Sequence, residues 1–380
     1  MNAGRKIKIG FIPLADAASL FVAVDKGFAA AEGLDVELVR EVSWSNIRDR
    51  LAIGHYDAAH LLAPMAIAST LGLSHVKLPV AGVFNLALNG NAITVSPDLY
   101  ARLRDVSQGD LADPSVSARA LKAVIADRDE RNAEPLTFGM TFPFSTHNYQ
   151  LRYWMAEGGI DPDRDIRLVV LPPSYMVDNL AKGQVDGFCV GAPWNAVAAD
   201  KGVGVILHPG CAIFNPAPEK TLALRAQFAE RDPGLVEALI RACLKAADFV
   251  KANENTNEVA ALLARPNRVG VEPEALRRTL DGRLGAGVES KDYLLFGDRA
   301  NGRPDRRQAA WLFAQMLRWG QAKFSPDQLR VVENVFTPMF FDAAAGVALQ
   351  TDTQPIAAFA GSAFEDIESY LSTFAIGARC

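Results

Sequence analysis

Cysteine is scarce in this 380-residue chain: Cys189, Cys211, Cys243 and Cys380 lie far apart and none stands in a CxxC pair. That spacing excludes a zinc ribbon or a dithiol redox motif and reads as reduced, mostly buried thiols. A surplus of positive charge is also missing. The 39 Lys and Arg residues face 44 Asp and Glu, a formal charge of −5, and no basic run is interleaved with aromatics, which argues against direct nucleic-acid binding. No apolar run approaches the ~20 residues that a membrane helix needs. The start MNAGRKIKIGFIPLADAASLFVAV is basic and then apolar, but Pro13 and Asp16 interrupt it, and KIKIGFIP reads as a first strand rather than an export signal. With no lipoprotein-type Cys near the N-terminus, the expected location is cytoplasmic, provided that Met1 is the natural start. Neither HExxH nor GxxxxGK[ST] occurs. His55 and His60 therefore read as surface or satisfied core histidines, and no cofactor or metal set is expected.

The hydrophobic share of 49% against 22% charged residues fits an ordinary globular protein long enough for two lobes. Lys6–Ile12, Asp16–Phe28 and Asp35–Val39 alternate strand, helix, strand, so a parallel sheet is expected. Ser45 is expected to cap a helix over Asn46–Ile53, leaving Trp44 in a strand-to-helix loop, where open α/β sheets bind ligands. Tyr56–Leu62 is a third strand. Asn85, Asn89, Gly90 and Asn91 interrupt further β material at 76–95 and mark a turn. Residues 97–134 are polar, with one helix expected at Ser117–Ala126. The alternation resumes through Val203–Leu207, a polar loop follows over Pro209–Lys220, and Thr221–Leu224 is the return strand. After Pro233 the chain is mainly helical. The division expected is residues 1–96 with 221–380 in a first lobe, and 97–220 in a second.

The stretch TFPFSTHNYQLRYW, residues 141–154, has the form of a strand end entering an anion-binding helix. Ser145 or Thr146 can cap it, and His147 falls in its first turn, where free backbone N–H groups and the helix dipole favour negative charge. His147 and Lys220 could serve catalysis, but no partnering Cys or carboxylate is recognisable in the sequence. No enzyme is expected.

Several segments together resemble the nitrate- and bicarbonate-binding proteins of ABC uptake systems, with the type II periplasmic-binding-protein fold. They are Lys8–Pro13, SWSNIRDRLAIGHYDAAHLLAPM, LALNGNAITVS, THNYQLRYWMAEGGIDPDRDIRLVVLPPSYMV, VDGFCVGAPWN and PEKTLALRA. The resemblance implies an α/β, two-lobed fold with a helical C-terminal extension on the first lobe. It implies an anion site at Trp44, Asn91, His147 and Lys220, to which the helix N-terminus at Ser145, Thr146 and His147 adds N–H groups. As a set of donors only, with Lys220 supplying charge, these residues suit nitrate or nitrite, which offer only acceptor oxygens. Bicarbonate binders tend to carry a carboxylate where Lys220 stands. Phe144-Ser145 replaces a usual Gly-Gly, and Asn148 a frequent Asp. With no export signal, the resemblance points to the cytoplasmic branch of the family. Its members are nitrate/nitrite sensors that, when anion-free, sequester an ANTAR-type RNA-binding antiterminator. The alternative is the substrate-binding component of a nitrate or bicarbonate uptake system.

Overall fold

The computed structural model describes residues 6–73, 76–285, 287–346 and 355–377. Cys380 lies outside the described residues. Two sheets carry the architecture. The first contains β1 (Lys6–Phe11), β2 (Asp35–Arg40), β3 (Ala58–Leu62) and β4 (Val80–Asn89). The second begins with β5 (Asn91–Val95) and continues with β6 (Thr137–Met140), β7 (Arg167–Val170), β8 (Gly187–Gly191) and β9 (Val205–Pro209). After a short β10 (Phe214–Asn215) the chain returns to the first sheet through β11 (Pro218–Arg225) and later β12 (Leu294–Phe296).

The strand orders are β12-β4-β11-β3-β1-β2 and β7-β6-β8-β5-β9. β1 runs parallel to β2 and β3, as the opening strand-helix-strand pattern requires, whereas the crossing strands β11 and β5 are antiparallel to their neighbours. β3, β4, β5 and β8 are buried throughout, because helices cover both faces. The first crossing is at Gly90, whose φ of +93° belongs to the left-handed region and where a Cβ would sit 2.8 Å from Leu294 Cδ1. Residues 91–95, expected with the first lobe, thus hydrogen-bond into the second sheet. Lys220, expected at the end of a loop, lies inside β11 and is fully buried.

Helix α1 (Ala18–Asp25) follows β1 and a 3₁₀ turn over Ala15–Ala17. Helix α2 spans Trp44–Ala52 and is capped by Ser43, which accepts from Asn46 N at 3.3 Å. The cap expected at Ser45 is therefore two residues late, and Trp44 opens the helix itself. Helix α3 is Ala63–Leu71 and α4 is Thr146–Glu157. The polar segment after residue 97 holds two helices, Pro97–Val106 and Pro114–Glu130, where one was expected.

The helical C-terminal region does more than cover the first lobe. Helix α5 (Pro233–Lys251) packs on α1, and α6 (Arg306–Arg318) packs on α3 and on α7 (Ile367–Ser372). Beyond α6, however, Gln321 accepts from the Tyr149 hydroxyl at 2.8 Å and donates to Pro143 O at 3.0 Å, both on the second-sheet side. Arg318 is buried with its guanidinium 5.0 Å from the Tyr153 ring centroid and 3.5 Å from that of Phe374, while Nη2 stands 3.8 Å from Glu157. Burial holds this guanidinium below its ordinary range, at about 10. The C-terminal region is thus a strap against α4 as well as α3. Arg318→Ala should cost about 2–4 kcal/mol through lost packing and cation–π contact, read as a lower midpoint in chemical denaturation. A shift of only a few tenths would show that the strap is not held there.

Candidate functional site

The carboxyl ends of β1 and β3, the start of β11, and the β6-to-α4 turn bring a set of fully buried polar side chains together, where ligands of open α/β sheets bind. Lys220 is at its centre. Its Nζ lies 2.6 Å from Glu219 Oε1, 3.0 Å from Asp16 Oδ2 and 5.5 Å from the Trp44 ring centroid. His60 Nε2 is 2.9 Å from Asp16 Oδ1, and the Trp44 and His60 ring centroids are 5.5 Å apart. Both Asp16 contacts are close in distance but poorly aligned as hydrogen bonds. From the second sheet, Asn91 Nδ2 donates to Glu219 Oε2 at 2.9 Å and to Gln150 Oε1 at 3.1 Å. His147 Nδ1 stands 3.1 Å from Thr141 Oγ1 and 3.4 Å from Glu219 Oε1.

All six residues expected at the site are brought to this region, but their roles divide. Ser145 caps α4, accepting from Asn148 N at 3.2 Å, and its hydroxyl donates to Phe142 O at 2.6 Å. The Thr146 hydroxyl donates to Pro218 O at 3.0 Å and so ties α4 to β11. Both hydroxyl protons are committed to backbone. Trp44 Nε1 and His147 Nε2 are buried without a partner, as is the acceptor Asn91 Oδ1. Asn91 also comes from the second sheet with His147, whereas Trp44 belongs to the first.

The sequence reading missed Asp16, His60, Gln150 and Glu219. The donor-only picture fails with them, since two carboxylates flank Lys220. His60, read as structurally bland, is at 0% exposure beside Asp16, while His55 is exposed as expected. Glu219 was one residue from a chosen position and still escaped, because alternation along a strand sends neighbours to opposite faces. The pairing of β11 with β4 shifts register at Lys220, and this bulge lets residues 219 and 220 meet.

Burial would raise the Asp16 carboxyl, but Lys220 and then His60 pull it down to about 2. Glu219 is likewise lowered, burial being outweighed by Lys220 and His147. Burial alone would lower the Lys220 ammonium, yet Asp16 and Glu219 raise it. Burial pushes His60 down, and His147 down to about 4, so both imidazoles are neutral at pH 7. Two carboxylates against one ammonium leave the ligand-free cluster with a single net negative charge.

The molecule therefore has the two-lobed type II periplasmic-binding-protein fold, with a polar cluster between two sheets. The chain belongs to the NMT1-like family, whose model matches residues 2–264. It is 36% identical over 96% of its length to the bicarbonate transport ATP-binding protein CmpC of Synechocystis, and it resembles the nitrate import ATP-binding protein NrtC of that organism at 33% over 97%. It spans 54% and 55% of those two proteins, about half of each. To the nitrate/nitrite binding protein NrtA of Synechococcus elongatus it is 31% identical over 92% of its length, covering 79% of that protein. The crystal structure of the periplasmic nitrate-binding protein NrtA from Synechocystis superposes with a TM-score of 0.87 at 29% identity, covering 98% of both chains. The relatives are binding and transport proteins of the nitrate/bicarbonate group. The desulfurization enzyme DszB, at 14% identity and a TM-score of 0.53, shares the fold alone.

Two outcomes follow from the buried charges. Lys220→Met should cost about 3–5 kcal/mol by leaving two buried carboxylates uncompensated, and adding Asp16→Asn should recover part of that loss. Chemical denaturation of the wild type, the two single variants and the double variant tests the coupling; additive effects would sink it. The histidines set the pH response. His147, together with His208, which is buried in β9 with its Nε2 2.6 Å from Ser117 Oγ, charges near 4 in the folded state against 6.5 in an unfolded chain, so their contribution is fully present above pH 6.5 and is lost as pH falls toward 4. The slope is about 1.4 kcal/mol per pH unit for each group. Thermal melts of the ligand-free protein should fall across that window, and a flat profile would contradict the burial of neutral imidazoles.

Proposed function

We propose that this chain binds a small monovalent oxyanion, with nitrate or nitrite the first ligands to test, as the substrate-binding part of an ABC uptake system. The observation that carries the reading is the buried, unpartnered Trp44 Nε1 and His147 Nε2 beside the Lys220 ammonium. Hydrogen bonds to a charged group contribute about 1.5–3 kcal/mol each, so a few of them offset dehydration of a small anion. Because Lys220, Asp16 and Trp44 come from the first sheet side while Asn91 and His147 come from the second, full coordination requires the lobes to be together. Anion binding then favours closure by its differential affinity for the closed state.

The sensor reading places the protein in the cytoplasm, holding an ANTAR-type RNA-binding antiterminator when anion-free. It rests on the sequence resemblance alone, and the names of the relatives favour transport. The two differ in linkage: a partner that grips only the open form must weaken anion binding by the factor by which the anion weakens the partner. Equal nitrate affinity with and without saturating antiterminator removes the sensor reading.

Titration calorimetry is the direct test of the site. One nitrate or nitrite per chain is expected, and His147→Ala should weaken it by about 1–3 kcal/mol. Absence of binding to nitrate, nitrite and bicarbonate alike would overturn the proposal.

A further inference from the structure

The two imidazoles of the site share one feature, although His147 Nδ1 also hydrogen-bonds with Thr141 while neither nitrogen of His60 makes a hydrogen bond. One nitrogen faces a carboxylate: His60 Nε2 at 2.9 Å from Asp16 Oδ1, and His147 Nδ1 at 3.4 Å from Glu219 Oε1. The other nitrogen, His60 Nδ1 or His147 Nε2, is buried with no partner. A neutral imidazole carries one N–H and one lone pair. Placing the hydrogen on the carboxylate-facing nitrogen avoids opposing lone pairs, so the unpartnered nitrogen is a bare acceptor. For His147 the other tautomer, with Thr141 donating to Nδ1 at 3.1 Å, would leave an accepting nitrogen 3.4 Å from the Glu219 carboxylate. Asn91 Oδ1 adds a third unpartnered acceptor, its amide hydrogens being committed to Gln150 and Glu219.

An oxyanion without hydrogen meets lone pairs at these atoms and a cluster already carrying a net negative charge. We propose, building on the anion-binding reading above, that such an anion is bound together with one proton, taken from solvent by the His60–His147 pair. The imidazolium formed has two donors, one kept on its carboxylate and one released to the ligand. An oxyanion that brings its own hydrogen, such as bicarbonate, donates it to the bare nitrogen and needs no added proton. His60 and His147 therefore discriminate between anions by whether they carry a hydrogen.

The charges around the pair agree with this. His147 faces Glu219, Lys220 and Asp16, and His60 faces Asp16, Lys220 and Glu219. Cys189, also in the field of Glu219, stays a thiol because burial pushes it well up. With the free imidazoles held neutral by burial, an arriving anion supplies the charge that favours protonation. Affinity for nitrate then rises as pH falls, by up to about tenfold per pH unit for one proton, in the window between the free and the anion-bound titrations of the pair.

The test is titration calorimetry of the whole chain with nitrate and with bicarbonate, near neutral pH, in imidazole, triethanolamine and Tris. These buffers differ in their heat of ionisation. The expected result is a nitrate heat that varies with buffer as uptake of about one proton demands, a bicarbonate heat that does not, and loss of the nitrate dependence in His60→Asn/His147→Asn. Nitrate binding with the same heat in every buffer overturns this inference and leaves the anion reading standing. No binding of either anion overturns both. The wild-type buffer series decides the matter even where the double variant does not fold.

Discussion

An ammonium held out of water between two carboxylates is the constraint on which the rest of the site depends. Burying each ion costs several kcal/mol, and Lys220, Asp16 and Glu219 offset it only because two separate segments bring both carboxylates within 3.0 Å of the Lys220 ammonium. Glu219 then reaches across to Asn91 and near His147, so a charge on the first sheet accepts from the second. In the ligand-free cluster this carboxylate occupies donors that an anion would otherwise use. The site is thus a balanced set of donors and acceptors, and a ligand must exchange with contacts already made.

The lobes are joined by more than their two crossings. Arg318, Gln321 and the C-terminal aromatics pack on α4, the helix whose first turn carries His147, while α6 rests on α3 of the first lobe. Opening the cleft must therefore deform or slide this strap. Stiffening of this kind lowers the entropy lost on ligand binding and reduces the range of open states available to a partner.

The named relatives of this family are binding and transport proteins, and the surroundings of the two catalytic-looking residues suit recognition. His147 and Lys220 do have carboxylate neighbours, against expectation. Those carboxylates are ionised and engaged with a cation, and the nearby Cys189 is kept as a thiol by burial. Such groups suit recognition by charge and hydrogen bonding, as in relatives that bind nitrate or bicarbonate.

Much was legible in the sequence because it depends on local periodicity and punctuation. The opening strand-helix-strand alternation, a cap at Ser145 or Thr146, a break in the β structure at Gly90 and the family resemblance over most of residues 5–265 all follow from neighbours along the chain. What depends on neighbours in space was not. Asp16 read as a break in an apolar run, His60 as an ordinary histidine, Glu219 as the far side of a strand. A register shift in β11, a pairing of β5 with the second sheet, and a strap that returns to α4 are set by hydrogen bonding and packing between distant segments. Sequence alone named six residues that the fold brings to one region; only the tertiary structure decided which carboxylates and unpartnered acceptors stand among them, because a buried charge is satisfied by whatever the fold brings within reach.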